Sequence, residues 1–225
     1  MVKNMREFKF SNTMIRWLGH SAFRFEHIKT IYTDPFRISE PKNDADIILI
    51  SHNHFDHFSP EDINRIIKDD TLVFLPPDCL SKMSRFVEKG KTVTLRPGDK
   101  VKISENITIE AVPAYNANKF KAPGMPFHPK ENEWMGYVIA IDGKRIYFAG
   151  DTDFVPELRS LKADLAIVPV SGTYVMTAQE AAELVTAINP AIAIPMHYGE
   201  VVGTEEDAEK FKNLVRTSVV VLEKS

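Results

Sequence analysis

Asp46-Ile47-Ile48-Leu49-Ile50-Ser51-His52-Asn53-His54-Phe55-Asp56-His57, running on into Phe58-Ser59-Pro60-Glu61-Asp62, decides how the rest of the chain is read. Its apolar first half, rich in β-branched residues, has the signature of a buried strand. Its far end, Ser59 before Pro60 and two acids, has the signature of a helix N-cap and first turn. The histidines and Asp56 therefore sit on a tight strand-to-helix loop. His52 and His54, two apart on extended backbone, point the same way, while Asp56 and His57 at the start of the turn face a second point nearby. Imidazole nitrogen and carboxylate oxygen are the donors that zinc, manganese and iron accept. The pattern predicts two adjacent metal sites rather than one.

Outward from this loop, the residues before it read as strands. Met14 to Leu18 and Ala22 to Glu26 flank Gly19-His20-Ser21, and Thr30 to Thr33 leads to Asp34-Pro35. Beyond the loop the spacing predicts a helix over 60–68, a strand over 72–75, a helix over 78–89 and a strand over 92–95. A hairpin joins Val101 to Ile103 with Ile107 to Val112. Asp142-Gly143 predicts a second hairpin, between Tyr137 to Ile141 and Arg145 to Ala149. The rhythm then changes: a short helix near 155–161, a strand over Leu165 to Pro169, and a helix capped by Thr177 through 188. A strand over Ala191 to Ile194, a helix capped by Thr204 through 214, and a strand over Ser218 to Leu222 complete the chain. Two halves, each strands first and then strand/helix alternation, predict an α/β (α+β) fold in which two sheets pack face to face with helices outside, a four-layer α-β-β-α sandwich.

Composition narrows the function classes. At 225 residues, with no Gly/Ser/Pro-rich linker, residues 1–225 are expected to form a single domain. A net charge of −3 without a basic stripe gives no nucleic-acid signal. The single cysteine, Cys79, excludes a disulfide within the chain. With no signal peptide and no apolar run near 20 residues, it predicts a cytoplasmic protein without a membrane span. Cys79, at a helix entry with no base nearby, is expected to be a buried, inert thiol. No feature of the sequence specifies an oligomeric state.

Two further segments end an apolar strand in a metal-binding residue type: Ile146-Tyr147-Phe148-Ala149-Gly150-Asp151-Thr152-Asp153 and Ala193-Ile194-Pro195-Met196-His197. Carboxyl ends of strands are where the loops of sheet proteins gather into sites. Alone, Asp151 reads as a turn residue and His197 as hydrogen-bonded structure. In chain order with the first cluster they gain weight.

His52-x-His54-x-Asp56-His57, then Gly150-Asp151-Thr152, then Pro195-Met196-His197 resembles the metallo-β-lactamase-fold superfamily of metal-dependent hydrolases, from Asp34 to the final strand. Trp17-Leu18-Gly19-His20-Ser21 and Asp34-Pro35 resemble the branch holding ascorbate-6-phosphate lactonase and N-acyl-phosphatidylethanolamine phospholipase D. The resemblance implies that His52 and His54 hold metal 1, that Asp56 and His57 hold metal 2, that Asp151 bridges them and that His197 completes site 2. Asp34 resembles the family's aspartate that buttresses the histidine loop, or is an Asp-Pro turn residue. His20 faces the site, against substrate or leaving group, or is a packing or solvent-exposed residue.

In most of the superfamily a further His closes site 1 from the loop after a hairpin strand. Here that strand ends in Val112-Pro113-Ala114-Tyr115-Asn116, with no imidazole. His128 is the one other imidazole between His57 and His197, and it is expected as the third ligand of metal 1; otherwise it is a lid or surface residue. It lies in the polar loop 115–135, whose Tyr115, Phe120, Phe127 and Trp134 could form a lid over a small-molecule substrate.

The cofactors so implied are two divalent ions, zinc ahead of manganese or iron. A pair about 3.5–4 Å apart brings a bridging water toward neutral pKa. The hydroxide so formed attacks an ester, lactone or phosphodiester, with Asp56 both ligating and accepting the proton. The competing classes are a di-iron redox centre and a metal-binding sensor or scaffold. Di-iron relatives carry Glu where this chain has His54 and are coupled to a flavin domain. A decayed site would leave buried His and Asp at a cost.

Overall fold

The computed structural model describes residues 5–39 and 41–225. They fall into two compact units, the first running to Leu95 and including Leu222–Ser225, the second covering Arg96–Val221.

The first unit is a seven-stranded sheet in sequence order: β1 (Glu7–Phe10), β2 (Thr13–Gly19), β3 (Ala22–Glu26), β4 (Thr30–Thr33), β5 (Ala45–Leu49), β6 (Ile67–Leu75) and β7 (Lys91–Thr94). Strands β1 to β4 form an antiparallel meander, and β4 to β7 run parallel. Strict alternation in β2 buries Ile15 and Trp17 on one face. The central β5 reads as a continuous apolar run because a parallel strand is covered on both sides.

Helix α1 (Pro60–Ile66) crosses from β5 to β6, and α2 (Leu80–Phe86) from β6 to β7. Ser59 Oγ accepts the Asp62 N–H at 3.3 Å, so the cap sits where the sequence predicts it. The helix stops at Ile66, two residues short of expectation, and β6 begins at once. Lys42 and Asn43 N–H groups take the Arg65 carbonyl, and Thr71 Oγ1 takes the Lys68 N–H, so the last helical turn is replaced by tertiary partners. Against one sheet face pack Tyr32, Ile48, Ile50, Phe58, Ile63, Ile66, Val73, Leu75, Met83 and the buried Cys79. Burial pushes the Cys79 thiol far up, toward the inert form.

The second unit carries β8 (Lys100–Lys102), β9 (Ile107–Pro113), a small hairpin of β10 (Phe120–Ala122) and β11 (Met125–Pro126), then β12 (Met135–Ile141), β13 (Lys144–Phe148), β14 (Leu165–Pro169), α3 (Ala178–Ile188), β15 (Ile192–Met196), α4 (Glu205–Leu214) and β16 (Ser218–Val219). Its sheet runs β16-β15-β14-β13-β12-β9-β8, parallel from β13 to β16 and antiparallel from β13 to β8. Asp142 and Gly143, at φ of 49° and 76°, turn the β12–β13 hairpin as a type I′ corner. Thr177 and Glu180 cap α3 reciprocally, and Ala178, Ala181, Ala182, Leu184, Val185 and Ile188 form its buried face. The expected helix near 155–161 is a 3-10 turn, Pro156–Ser160, and the last strand is shorter than predicted. The hairpin over residues 100–113 belongs to this second sheet, not to the strands that precede it in sequence.

Candidate metal centre

Each unit places candidate ligands at the carboxyl ends of parallel strands: Asp34 and the His52–His57 loop in the first, Asp151 and His197 in the second. In the first unit, Asp34 follows β4 and the His52–His57 loop follows β5, and the two ends are tied by Asp34 N–H to Leu49 O at 2.9 Å. Asp34, His52 and His57 offer ligand-type atoms that lie within 4.8 Å of one another, all buried.

Asp34 is the hub of this loop. Its Oδ1 accepts the Ser51 N–H at 2.7 Å, and its Oδ2 accepts the Ser51 hydroxyl at 2.6 Å and His57 Nδ1 at 2.7 Å. Ser51 has one proton, and it goes to Asp34. Its oxygen must therefore accept from His52 Nδ1, 2.8 Å away. One carboxylate thus sets two imidazoles as Nδ1–H tautomers, His57 directly and His52 through Ser51, leaving the lone pair of each on Nε2. Burial pushes the Asp34 carboxyl up, while the His57 ring and the hydrogen bonds from His57 and Ser51 pull it back.

The Nε2 atoms face further acceptors. His52 Nε2 lies 3.0 Å from His54 Nδ1. Two nitrogens bound to one tetrahedral zinc at about 2.0–2.1 Å would lie roughly 3.3 Å apart, so the pair suits a common ion. His57 Nε2 lies 3.9 Å from Asp56 Oδ2, and the same oxygen is 3.1 Å from His20 Nε2. His20 is fully buried, and its carbonyl takes the Trp17 indole N–H, so it is no surface residue.

In the second unit, Asp151 follows β13 and His197 follows β15, while His128 arrives on the long loop after β9. The loop closes on itself at its base: Asn116 N–H donates to His128 O, and His128 N–H donates to Asn116 Oδ1, both at 2.9 Å. Asn116 Nδ2 donates to Tyr174 O at 2.8 Å, which fixes the amide orientation. Asn116 Oδ1 then takes His128 Nδ1 at 2.9 Å, and the lone pair of His128 sits on Nε2, 3.3 Å from Asp151 Oδ2. His197, at φ +61°, holds Nδ1 3.1 Å from Ser171 Oγ and Nε2 3.1 Å from the same Asp151 oxygen. One carboxylate oxygen of Asp151 therefore faces two imidazoles.

These donors fit divalent ions. A lone pair on His128 Nε2 aimed at a carboxylate oxygen repels it unless a cation lies between. The donor set is imidazole and carboxylate with no thiolate, which suits zinc, manganese or iron. Asp151, His128 and His197 are each no more than 4 % exposed, and buried carboxylates require a positive partner.

Sequence reading named the candidate ligands and, in Asp34, one residue that aims them, but not the others. Ser51, Asn116 and Ser171 orient His52, His128 and His197. Asp153, 2 % exposed, holds the start of the long loop through the Ala117 and Asn118 N–H groups at 2.7 and 2.9 Å. Only Asp153 carried a signal, as the second acid of Gly150-Asp151-Thr152-Asp153. The long loop is built rather than open: Lys119 Nζ reaches Asp153 Oδ1 at 3.1 Å and Glu180 Oε2 at 2.7 Å, and β10 and β11 form its arm.

Comparisons with known proteins show the family. A family profile described as a beta-lactamase superfamily domain matches residues 14–197. A UPF0173 metal-dependent hydrolase of Thermoplasma acidophilum is 33 % identical over 220 residues, 92 % of each chain. A second, from Thermoplasma volcanium, is 32 % identical over 92 % of this chain and 94 % of its own. The crystal structure of a Parabacteroides distasonis protein, provisionally named a metal-dependent hydrolase, superposes with a TM-score of 0.80 at 32 % identity, covering 97 % of this chain and 98 % of that one.

Proposed function

The chain belongs to the beta-lactamase superfamily, as a metal-dependent hydrolase with the fold of its metallo members, and we propose that it hydrolyses a small-molecule ester, lactone or phosphodiester with two divalent ions. The observation that carries the reading is Asp151 Oδ2, facing both His128 Nε2 and His197 Nε2. In this reading His52, His54 and His128 serve one ion, Asp56, His57 and His197 the other, and Asp151 both; zinc is the first candidate.

When bound, two such ions supply an activated water and an electrophile for the attacked oxygen. The chain's own residues supply the rest. Asp34, Ser51, Asn116 and Ser171 hold the imidazoles in one tautomer and one orientation, so that no reorganisation is needed when charge develops. Asp56 accepts the proton of the attacking water. His20, 3.1 Å from Asp56 Oδ2, keeps that carboxylate in place and stands ready to carry the proton toward the leaving group.

The test is a panel of lactones, phosphodiesters and carboxylic esters assayed on the metal-analysed protein between pH 5 and 9. Turnover of at least one class is expected, with activity rising through a limb near neutral pH. Asp56→Asn is expected to lower kcat by at least about 100-fold, the usual contribution of a proton acceptor. An Asp56→Asn variant with full metal content and wild-type turnover would remove Asp56 as the base.

A further inference from the structure

The loop that follows Asp34 has a shape that ligand positioning alone does not require. Asp34 and Arg37 both sit at positive φ, 38° and 51°. For a side chain as long as arginine this left-handed backbone is uncommon and strained, so something must hold it. The buried carboxylate of Asp62 does: its Oδ2 accepts the Arg37 N–H at 2.9 Å and its Oδ1 the Ile38 N–H at 2.8 Å. The backbone so fixed places Phe36 edge-on to His20, ring centroids 6.1 Å apart, and edge-on to Phe55 at 5.9 Å. The Arg37 guanidinium lies over the Phe36 ring at 4.9 Å.

Two side chains of this group face solvent beside the candidate site. Phe55 stands between His54 and Asp56 and is 65 % exposed, leaving much of a large apolar side chain in water. Arg37 is also exposed, and among the described residues no carboxylate pairs with its guanidinium. Arg24 and Arg65 of the same unit each meet one. The result is an aromatic wall running from His20 through Phe36 to Phe55, with a planar cation stacked on it and held by strained backbone. A stacked guanidinium keeps its in-plane N–H fork available for an oxyanion while its face is occupied.

We infer that Arg37 and Phe55, backed by the buried Phe36, form the substrate-selecting rim of this hydrolase, taking a molecule whose flat apolar part lies on Phe55 and whose oxyanion pairs with Arg37. The inference rests on the hydrolase reading for its meaning but concerns binding alone. A preference for acidic substrates would follow, set by Arg37 rather than by the metal ligands.

The probe is 8-anilinonaphthalene-1-sulfonate, whose sulfonate is a poor metal ligand. It is titrated by fluorescence into the metal-loaded protein alongside N-phenyl-1-naphthylamine, which has the same rings and no charge. Wild type should bind the sulfonate more tightly. Arg37→Gln should weaken sulfonate binding about tenfold, the loss of one charge-assisted hydrogen bond, without changing the affinity for the neutral probe or the metal content. Phe55→Ala should weaken both probes, which gives a second reading if the Arg37 variant folds poorly. Arg37→Gln binding the sulfonate as wild type does, or no saturable sulfonate binding by wild type, would overturn the inference. Arg37-dependent binding by a protein that hydrolyses none of the panel would sink the ester, lactone and phosphodiester reading and leave the rim in place.

Discussion

At the residue scale, Asp34 does the most with one side chain. It accepts three hydrogen bonds and through them sets the tautomers of His52 and His57. Asp34→Asn keeps the volume but replaces one acceptor oxygen with a donor nitrogen, so it cannot satisfy both Ser51 and His57. Metal affinity is expected to fall about 10–100-fold, as for other groups that orient metal ligands; competition against a chromophoric chelator measures it, and an unchanged affinity would contradict the hub. The sequence showed Asp34 as either a buttress or a turn residue, because Asp-Pro alone suits both. Its partners were illegible: Ser51 is an ordinary residue at a strand end, and its relay depends on a proton count that only distances supply. His128 stood out in the sequence as the one imidazole between His57 and His197, whereas Asn116, which orients it, looked like a vacancy in the pattern.

At the element scale, two features position the second unit's ligands. Gly136 in β12 lies where a Cβ would stand 2.5 Å from Ala149 O and 2.6 Å from Phe148 O, backbone atoms just ahead of Gly150-Asp151. Gly136→Ala is expected to destabilise the protein by about 1–3 kcal/mol, the range for overpacking a tight core, and to lower metal occupancy with it. Urea unfolding and elemental analysis check the two effects; a variant of wild-type stability would mean that β13 yields easily. The second feature is the strap from the long loop to α3. Burial would raise the Glu180 carboxyl, but Lys119, the Thr177 N–H and Asn118 bring it down to about 2. Because the folded value lies below the ordinary 4.5, the stabilisation is complete above pH 4.5 and lost as pH falls toward 2. The stability gap between wild type and Glu180→Gln should therefore be constant from pH 7 to 5 and shrink below 4.5; a gap that widens in acid would contradict the strap. Strand and cap signals such as Asp142-Gly143 and Thr177 were legible because they are local. The end of α1 was not, because Lys42 and Asn43, far off in sequence, donate to the Arg65 carbonyl; the β10–β11 arm was not, because its strands are only three and two residues long.

At the scale of the molecule, the two sheets were legible as two repeats of strands followed by strand/helix alternation, and the superfamily as separated motifs in order. What sequence order obscured was the sheet to which the 100–113 hairpin belongs, since pairing with β12 across an intervening loop has no local signal. Among the described residues no helix is long and apolar enough to cross a membrane. We propose that the whole chain is one cooperative domain: circular dichroism and tryptophan fluorescence, reporting on Trp17 in one unit and Trp134 in the other, should melt at one temperature. Two separated transitions would divide it. The central claim is a two-ion centre bridged by Asp151, and elemental analysis of wild type beside Asp151→Ala tests it most directly. Wild type should carry close to two transition-metal ions per chain and the variant should lose occupancy at both sites; an Asp151→Ala protein that retains both ions would contradict the account.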